Sequence, residues 1–356
     1  MLRFVHDTLP QRVVFASGEA SAVAADEMSR LGARRVMVIA SPAHASLADK
    51  VSASLPVALR HGEIAMHVPV DVARRARDAA VRAGADAVLC IGGGSATGLG
   101  KAVAMSGSPI AGIPIVAVPT TYAGSEATNV WGLTEGERKT TGVDDKVLPR
   151  AIIYDASLML TLPVETSVAS GMNAMAHCVD AMWGPRTDPI DQLLAAEGIR
   201  MLNLGLPRVK ADPHGLEGRE QTLYGAYLAA TSFASAGSGM HHKICHVLGG
   251  MFTLPHAQAH AVLLPHVLAF NGPNATEAAE RMARAFGART ASVGLAALRA
   301  DLNAPKALKD YAMPEDGIEK AVDPILQAIP ASNPTPVTRA NLAALLYAAW
   351  EGSDPQ

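Results

Sequence analysis

The hydrophobic pattern of the chain changes near Asp155, and this change restricts the possible folds more than any other feature. Before it, short apolar runs at residues 35–40, 87–91 and 113–118 are typical of buried strands, and helical stretches separate them. Apolar strands that alternate with helices are typical of a parallel sheet covered on both faces. After Leu162, strand signals are scarce and the pattern is helical.

Helices are predicted in both halves of the chain. They cover residues 42–53, 71–83 and 96–105 in the first half, and residues 163–183, 188–205, 216–235, 240–250 and 275–300 in the second. Several of the later helices begin with a capping residue or with proline in the first turn. We therefore predict an α/β domain over residues 1–157 and an all-α domain over residues 158–356.

Composition and charge exclude several classes of protein. Of the 356 residues, 49% are apolar and 18% are charged, which is typical of a globular chain and excludes intrinsic disorder. The net charge of −3 leaves no basic excess for nucleic acid or an anionic membrane. The three cysteines are scattered, which excludes a disulfide scaffold. We recognise neither a signal peptide nor an apolar run of the ~18 residues that a membrane span needs. We expect a cytoplasmic protein without a nucleic-acid or membrane partner.

A glycine-rich segment, Gly92-Gly-Gly-Ser95, lies between a predicted buried strand and a predicted helix. Glycines let the backbone approach a ligand closely, and a helix N-terminus offers unpaired N–H groups and the positive end of the helix dipole. A plain turn would use the same glycines, but the position at the carboxyl end of a parallel strand favours a phosphate or pyrophosphate site. No Gly-Lys-Ser/Thr follows, so the segment is not a P-loop, and we expect Lys101 to be solvated.

Two further segments bear on nucleotide binding. Pro119-Thr-Thr-Tyr-Ala-Gly-Ser-Glu126 ends the third predicted strand, where its hydroxyl groups either line a nucleotide site or form an ordinary polar loop. The strand at residues 35–40 corresponds to one that usually ends with an acid for the ribose hydroxyls. Ser41 follows it here, so nothing at this point repels a 2′-phosphate. If a nicotinamide cofactor binds, we expect NADPH to be accepted beside NADH.

Histidines are concentrated in the helical half. Six of the 12 fall in one short stretch, as His241, His242, His246, His256, His260 and His266. His242 and His246 are four residues apart on one helical face, and Asn173 and His177 have the same spacing on another predicted helix. Such pairs direct two side chains at one spot, as metal ligation or acid–base chemistry requires. We therefore predict a functional cluster that also includes His256.

Four segments together resemble the iron-containing (group III) alcohol dehydrogenase family. They are Gly92-Gly-Gly-Ser95, Pro119-Thr-Thr121, Gly171-Met-Asn-Ala-Met-Ala-His177 and the segment from His242 through His246 to His256. The resemblance runs in order from about residue 10 to residue 345. It implies the architecture that this family shares with dehydroquinate synthase. That architecture is an α/β, Rossmann-like N-terminal domain, which binds NADH or NADPH, and an all-α C-terminal domain.

The resemblance also implies roles for individual residues. Family members hold a metal through one aspartate and three histidines, whose positions here are Asn173, His177, His242 and His256. His246 matches an additional active-site histidine near the nicotinamide. The implied cofactor-binding positions are Gly93, Gly94 and Ser95 at the pyrophosphate, Thr120 and Thr121 on the adenosine side, and Lys139, with Ser41 beside the ribose.

Asn173 stands where the family has its aspartate, so the site lacks the only anionic ligand. One amide and three imidazoles bind a hard divalent ion poorly, and we expect no bound metal. The sequence is similar to one branch of the family at four features. These are Asn173, the doubled His241-His242, Tyr122 and Trp131-Gly-Leu-Thr-Glu135. That branch reduces maleylacetate (4-oxohex-2-enedioate) to 3-oxoadipate in aromatic catabolism, with NAD(P)H and without a metal.

The implied reaction assigns further roles. Charge that develops on the ketone oxygen requires hydrogen-bond donors. The histidines at the implied metal positions would supply these donors or a local positive charge, and His246 is the expected proton donor. Lys243 either pairs with a substrate carboxylate or is solvated, and we expect His260 and His266 to be structural. Family members often form dimers, so we expect a homodimer.

Three other functions stay open at this point. A metal-dependent alcohol or aldehyde dehydrogenase of the same fold is possible because the carbonyl oxygen of Asn173 can ligate. A lyase resembling dehydroquinate synthase would need several cations for a phosphate-bearing substrate, and the histidine region offers only Lys243. A non-catalytic nucleotide-binding protein would not require the intact histidine cluster.

Overall fold

The computed structural model describes residues 3–136 and 138–355, except for the side chains of Arg138 and Lys139. Contacts divide the chain into two compact units. One unit covers Leu9–Leu162, and the other combines the N-terminal segment up to Thr8 with Pro163–Gln356. The division thus falls after Leu162, whereas the sequence analysis placed it after residue 157.

The first unit is built on a parallel sheet. Its strands are β1 (Arg12–Phe15), β2 (Val36–Ile39), β3 (Val57–His61), β4 (Ala87–Gly92), β5 (Ile115–Pro119), β6 (Val130–Glu135), β7 (Arg138–Val143) and β8 (Ala151–Tyr154). Six of them pair in the order β1-β8-β5-β4-β2-β3, with every pairing parallel, and β6 and β7 form a separate antiparallel hairpin. The predicted α/β class is confirmed.

Helices cover both faces of this sheet and explain its apolar strands. They are α1 (Ala20–Arg30), α2 (Ala45–Val51), α3 (Val70–Arg82) and α4 (Gly94–Ala104). Alternate residues of β4 point to opposite faces, so Cys90 packs in the core under α3 and α4, whereas Leu89 and Ile91 pack in the core under α1 and α2. Because both faces of β4 are buried, its sequence is apolar throughout and does not show the alternation of polar and apolar residues that a half-exposed strand has.

The described part of the second unit is helical. Its helices are α5 (Val164–Ala181), α6 (Pro189–Ala211), α7 (Leu216–Ala236), α8 (Met240–Phe252), α9 (His256–Asn271), α10 (Thr276–Phe286), α11 (Ala291–Leu302), α12 (Gly317–Ala328) and α13 (Arg339–Glu351). The predicted stretch 275–300 is two helices, because Gly287 takes a φ of +65° and ends α10. In the described residues we find no helix that is long and apolar enough to cross a membrane.

Candidate active site

The glycine segment joins β4 to α4 at the carboxyl edge of the sheet. Gly92 has a φ of +147°, which residues with side chains rarely adopt, and Gly93 is the N-cap of α4. A Cβ atom on Gly93 would lie 2.9 Å from Cγ2 of Thr121, so this close approach requires glycine. No side chain caps the first turn of α4. The segment therefore fits a pyrophosphate bound by backbone N–H groups at a helix N-terminus.

Ser41 and Thr120 follow strands on either side of β4. The backbone N–H of Thr120 donates to the carbonyl oxygen of Gly92 at 3.0 Å. The hydroxyl of Ser41 shares a hydrogen bond of 2.9 Å with Nδ1 of His44, and Nε2 of His44 lies 3.5 Å from Oγ1 of Thr120. The structure thus brings Ser41 and Thr120 together through His44. Sequence reasoning missed His44, although a proline-started helical turn places it three residues after Ser41.

The other predicted cofactor residues divide into two groups. Gly94 and Ser95 form the first turn of α4 and are half-buried. Lys139 belongs to β7, where it pairs with Thr134 of β6, but its side chain lies outside the described residues. A cofactor contact by Lys139 therefore stays a prediction.

Lys101 is fully buried, so the expectation that it is solvated was wrong. Its Nζ donates to the carbonyl oxygens of Ser125, Thr128 and Val130 at 2.7–2.8 Å, and it lies 3.1 Å from the hydroxyl of Thr128. Burial lowers the pKa of Lys101 to about 7, while the opposing charge of Glu126 raises it. These acceptors come from a loop distant in sequence, which is why sequence spacing did not reveal them. Lys101 fixes the segment that follows the threonine pair.

Replacing Lys101 with methionine is expected to lower the free energy of unfolding by roughly 3 kcal/mol, because buried carbonyl oxygens lose the ammonium group that donates to them. Urea unfolding measures the change, with Lys50→Met as the control because Lys50 is exposed on α2. Equal stability of the two variants would contradict this role for Lys101.

Three helices of the second unit bring the predicted histidines together. His177 lies on α5, His242 and His246 lie on α8, and His256 begins α9. The rings of His177 and His242 stack with centroids 4.8 Å apart, and Phe233 of α7 packs against both. The centroid of His246 lies 6.1 Å from that of His242 and 6.3 Å from that of His256. The four histidines therefore form one cluster.

Asp180 on α5 is a functional candidate that sequence reasoning missed. Its Oδ2 shares a hydrogen bond of 2.7 Å with Nδ1 of His242 and accepts the backbone N–H groups of Gly239 and His242 at 3.0 and 3.2 Å. Burial raises the pKa of Asp180 to about 7, while these N–H groups lower it. The available signal was an acid three residues after His177, in a buried part of the helix whose neighbouring residues Cys178 and Val179 are apolar. Asp180 fixes the ring orientation of His242.

At three of the four positions where the family holds its metal, a buried polar atom has no hydrogen-bond partner in the described structure. These atoms are Oδ1 of Asn173, Nδ1 of His177 and Nε2 of His242. The exposed fractions of these residues are 3%, 8% and 2%. Each unsatisfied buried polar atom costs on the order of 1–3 kcal/mol. Three of them in one cluster indicate a site for a polar ligand that supplies the missing partners.

Burial keeps the interior histidines neutral. It lowers the pKa of His177 to about 4 and that of His241 to about 3, and it lowers the pKa values of His242 and His260 well below their usual range. A neutral imidazole offers one donor and one acceptor. Near pH 7 the structure therefore favours His177 and His242 as hydrogen-bonding groups over the alternative of a local positive charge.

His260 connects two parts of the cluster. Its Nδ1 lies 2.8 Å from Nε2 of His241, and its Nε2 lies 3.1 Å from Nε2 of His256. Sγ of Cys245 lies 3.7 Å from Nε2 of His241. His260 thus orients the ring of His256 through the contact between their Nε2 atoms. His266 is buried further along α9, and burial lowers its pKa to about 4.

Ligand atoms of histidine, cysteine or carboxylate side chains converge in threes at two places in the described residues. These groups are His241 with Cys245 and His260, and His6 with Asp188 and Asp191, each within 4.8 Å. The three histidines at the family's metal positions form no such group among the described residues, and Asn173 adds no charge. With one neutral amide, three imidazoles and no anionic ligand, this donor set suits a hard divalent ion poorly.

Lys243 lies on α8 between the two cluster histidines and is half-buried. Its backbone N–H donates to the carbonyl oxygen of Gly239. No carboxylate of the described residues forms an ion pair with its ammonium group, so Lys243 stays a candidate for binding an anionic substrate.

Comparisons with known proteins cover almost the whole chain. The family described as "Iron-containing alcohol dehydrogenase" matches residues 10–156. The one described as "Fe-containing alcohol dehydrogenase family, C-terminal" matches residues 167–350. The two matches together span both contact units.

Individual relatives agree with this result. A maleylacetate reductase from Sphingobium indicum is 43% identical, with 99% of each chain covered. The crystal structure of an iron-containing alcohol dehydrogenase from Corynebacterium glutamicum is 59% identical and superimposes with a TM-score of 0.96 over 100% of this chain and 99% of that one. A maleylacetate reductase from Agrobacterium tumefaciens is 39% identical, with a TM-score of 0.92 and complete coverage of both chains. The chain therefore belongs to the iron-containing alcohol dehydrogenase family, and it is an oxidoreductase that uses a nicotinamide cofactor.

Proposed function

We propose that this protein reduces the C=C bond of maleylacetate to give 3-oxoadipate, with NADH or NADPH as the hydride donor and without a bound metal. The observation that carries the proposal is the buried set of Asn173, His177 and His242, whose polar atoms lack partners and whose histidines are neutral. The unpartnered nitrogens of the two histidines can donate to a substrate oxygen, as can the amide N–H groups of Asn173, whereas Oδ1 of Asn173 only accepts. Relatives named maleylacetate reductase match the chain over nearly its full length.

The substrate is a dianion whose alkene is conjugated with a ketone. A bound reduced nicotinamide supplies the hydride that adds to the alkene carbon β to the ketone. The π electrons of the alkene shift toward the ketone, so negative charge develops on the ketone oxygen as an enolate. His177 and Asn173 lie four residues apart on one face of α5 and donate hydrogen bonds to this oxygen from side-chain N–H groups. Neutral donors that are fixed before the reaction stabilise such charge efficiently.

The Asp180–His242 pair determines which nitrogen of His242 carries a proton. When Asp180 holds the proton and donates it to Nδ1, the imidazole carries its own hydrogen on Nε2. That N–H faces the cluster and is the third donor to the enolate oxygen. Asp180 therefore acts through His242 rather than on the substrate.

His246 completes the reaction by protonating the carbon α to the ketone. The enolate collapses as the new C–H bond forms. The proton comes from the protonated ring of His246, which becomes neutral imidazole and is then reprotonated by solvent. His246 is half-buried at the edge of the cluster, in contrast to the fully buried His242. A proton donor that must exchange with water requires such a position. Lys243 binds one substrate carboxylate.

The absence of a metal is part of the proposal. The neutral donor set supports it, because Asn173, His177, His242 and His256 include no anionic ligand. The cofactor is NADH or NADPH, because Ser41 places no carboxylate after β2. We also propose the homodimer that family members often form.

Deuterium transfer tests the site of reduction. With NADH that carries deuterium at the transferred position, we expect 3-oxoadipate labelled at the methylene carbon β to the ketone, because hydride adds to that alkene carbon. Mass spectrometry and NMR of the product locate the label. A labelled secondary alcohol would instead show that the ketone is reduced, as in an alcohol dehydrogenase.

A further inference from the structure

His6, Asp188 and Asp191 form a buried polar cluster that the proposed reaction does not use. His6 belongs to the N-terminal segment of the helical unit, Asp188 is the N-cap of α6, and Asp191 lies in the first turn of that helix. Nδ1 of His6 lies 2.8 Å from Oδ2 of Asp188 and 3.6 Å from Oδ1 of Asp191. Oγ of Ser235 is 3.4 Å from the same nitrogen.

Asp191 is the least satisfied member of the cluster. Its side chain has no exposed surface, and neither carboxylate oxygen has a hydrogen-bond partner in the described structure. In the described part of the chain no lysine or arginine forms an ion pair with it, and Nδ1 of His6 lies 3.6 Å from its Oδ1. Burial and the negative charge of Asp188 raise the pKa of Asp191 to about 6, while the hydroxyl of Ser235 and the charge of His6 lower it. A buried carboxylate without a counter-charge is unfavourable, so the cluster requires a cation or an added proton.

Asp188 is held in the orientation that a metal ligand needs. Its Oδ1 accepts the backbone N–H groups of Ile190 and Asp191 at 2.7 and 2.9 Å, as an N-cap side chain does. Oδ2 is therefore directed at His6. Hydrogen bonds of this kind orient carboxylate ligands before a metal binds.

We propose that His6, Asp188 and Asp191 bind a zinc ion that fastens the N-terminal segment to the helical unit. Their three ligand atoms lie within 4.8 Å of one another, which is compatible with Zn–N and Zn–O bonds of about 2.0–2.2 Å. One dication balances the two carboxylates while His6 stays neutral. An imidazole nitrogen with two carboxylate oxygens suits zinc better than Mg²⁺ or Ca²⁺, which prefer six or more oxygen ligands. Water occupies the fourth position.

Calorimetric titration of the chelator-treated, full-length protein with Zn²⁺ tests the proposal. We expect the wild type to bind one equivalent of Zn²⁺. Asp191→Asn and His6→Gln should bind no Zn²⁺, or bind it at least about tenfold more weakly. Asp316→Asn, which changes an exposed acid on the same unit, and His177→Gln, which changes the other histidine cluster, should keep it. Zinc should also raise the Tm of the wild type but not that of Asp191→Asn or His6→Gln.

Circular dichroism first checks that each variant is folded. If Asp191→Asn does not fold, His6→Gln decides the test, because the ring of His6 is partly exposed and the substitution leaves the helices intact. Failure of the wild type to bind zinc would overturn the proposal. Wild-type affinity in both His6→Gln and Asp191→Asn, or loss of binding only in His177→Gln, would also overturn it. None of these measurements depends on turnover, so the result is independent of the proposed reaction.

Discussion

Replacing His246 with alanine is expected to lower kcat for maleylacetate by roughly 10²–10⁴-fold while the Kd for NADH changes by less than about threefold, because the residue donates a proton and does not hold the cofactor. The enolate would still form, because the other hydrogen-bond donors remain. Its α carbon would then be protonated only by water, which is slower. Steady-state NADH oxidation gives kcat, and fluorescence titration of NADH gives Kd.

His214→Ala is the matched control for this substitution, because His214 is exposed in the turn between α6 and α7 of the same helical unit. The control should retain wild-type kcat. A His246→Ala enzyme within a few-fold of wild type would remove His246 from the mechanism. An equal loss in kcat and in NADH affinity would instead assign it to cofactor binding.

Replacing Asp180 with asparagine is expected to lower kcat by about 10²–10⁴-fold, because the amide fixes His242 in the wrong tautomer. The backbone N–H groups of Gly239 and His242 both donate to the position of Oδ2, so the amide oxygen must occupy it. This oxygen can only accept from Nδ1 of His242. Nε2 is then left without a hydrogen and cannot stabilise the enolate oxygen.

Glu165→Gln is the control for Asp180→Asn, since Glu165 is an exposed acid on the same helix. The two variants should unfold at similar temperatures, because asparagine keeps the hydrogen bonds that Asp180 accepts. Wild-type kcat in a folded Asp180→Asn enzyme would contradict the tautomer argument. If kcat falls and the Tm of Asp180→Asn falls with it, the role of Asp180 is structural.

The fold was largely predictable because its strands and helices have unambiguous patterns. Residues 87–91 and 113–118 are apolar on both faces, and the sheet buries both faces of β4 and β5. β1, β3, β8 and the β6–β7 hairpin were not predicted. β3 and the hairpin are partly exposed and lack an apolar run, whereas β1 and β8 hold apolar runs of only three and four residues. Local sequence also does not show that the N-terminal segment packs with the helical unit rather than with the sheet that follows it.

The candidate site was predictable where the helical period alone decides which side chains meet. Asn173 and His177, and likewise His242 and His246, are four residues apart, and the structure places each pair on one helix, α5 and α8. Contacts between helices were not predictable in this way. Asp180 meets His242 across α5 and α8, and Lys101 meets carbonyl oxygens of a distant loop. Both are buried ionisable groups whose partners become visible only when the tertiary structure is known.

One measurement tests the central claim most directly. The protein is assayed for NADH and NADPH oxidation with maleylacetate and, in parallel, with simple aldehydes, before and after treatment with a chelator, and the metal content at each stage is determined. The account predicts turnover of maleylacetate that chelation leaves unchanged, with either cofactor, and no comparable turnover of aldehydes. Aldehyde turnover that disappears on chelation would contradict the account. Asn173 would then ligate a catalytic metal, and maleylacetate would be the wrong substrate.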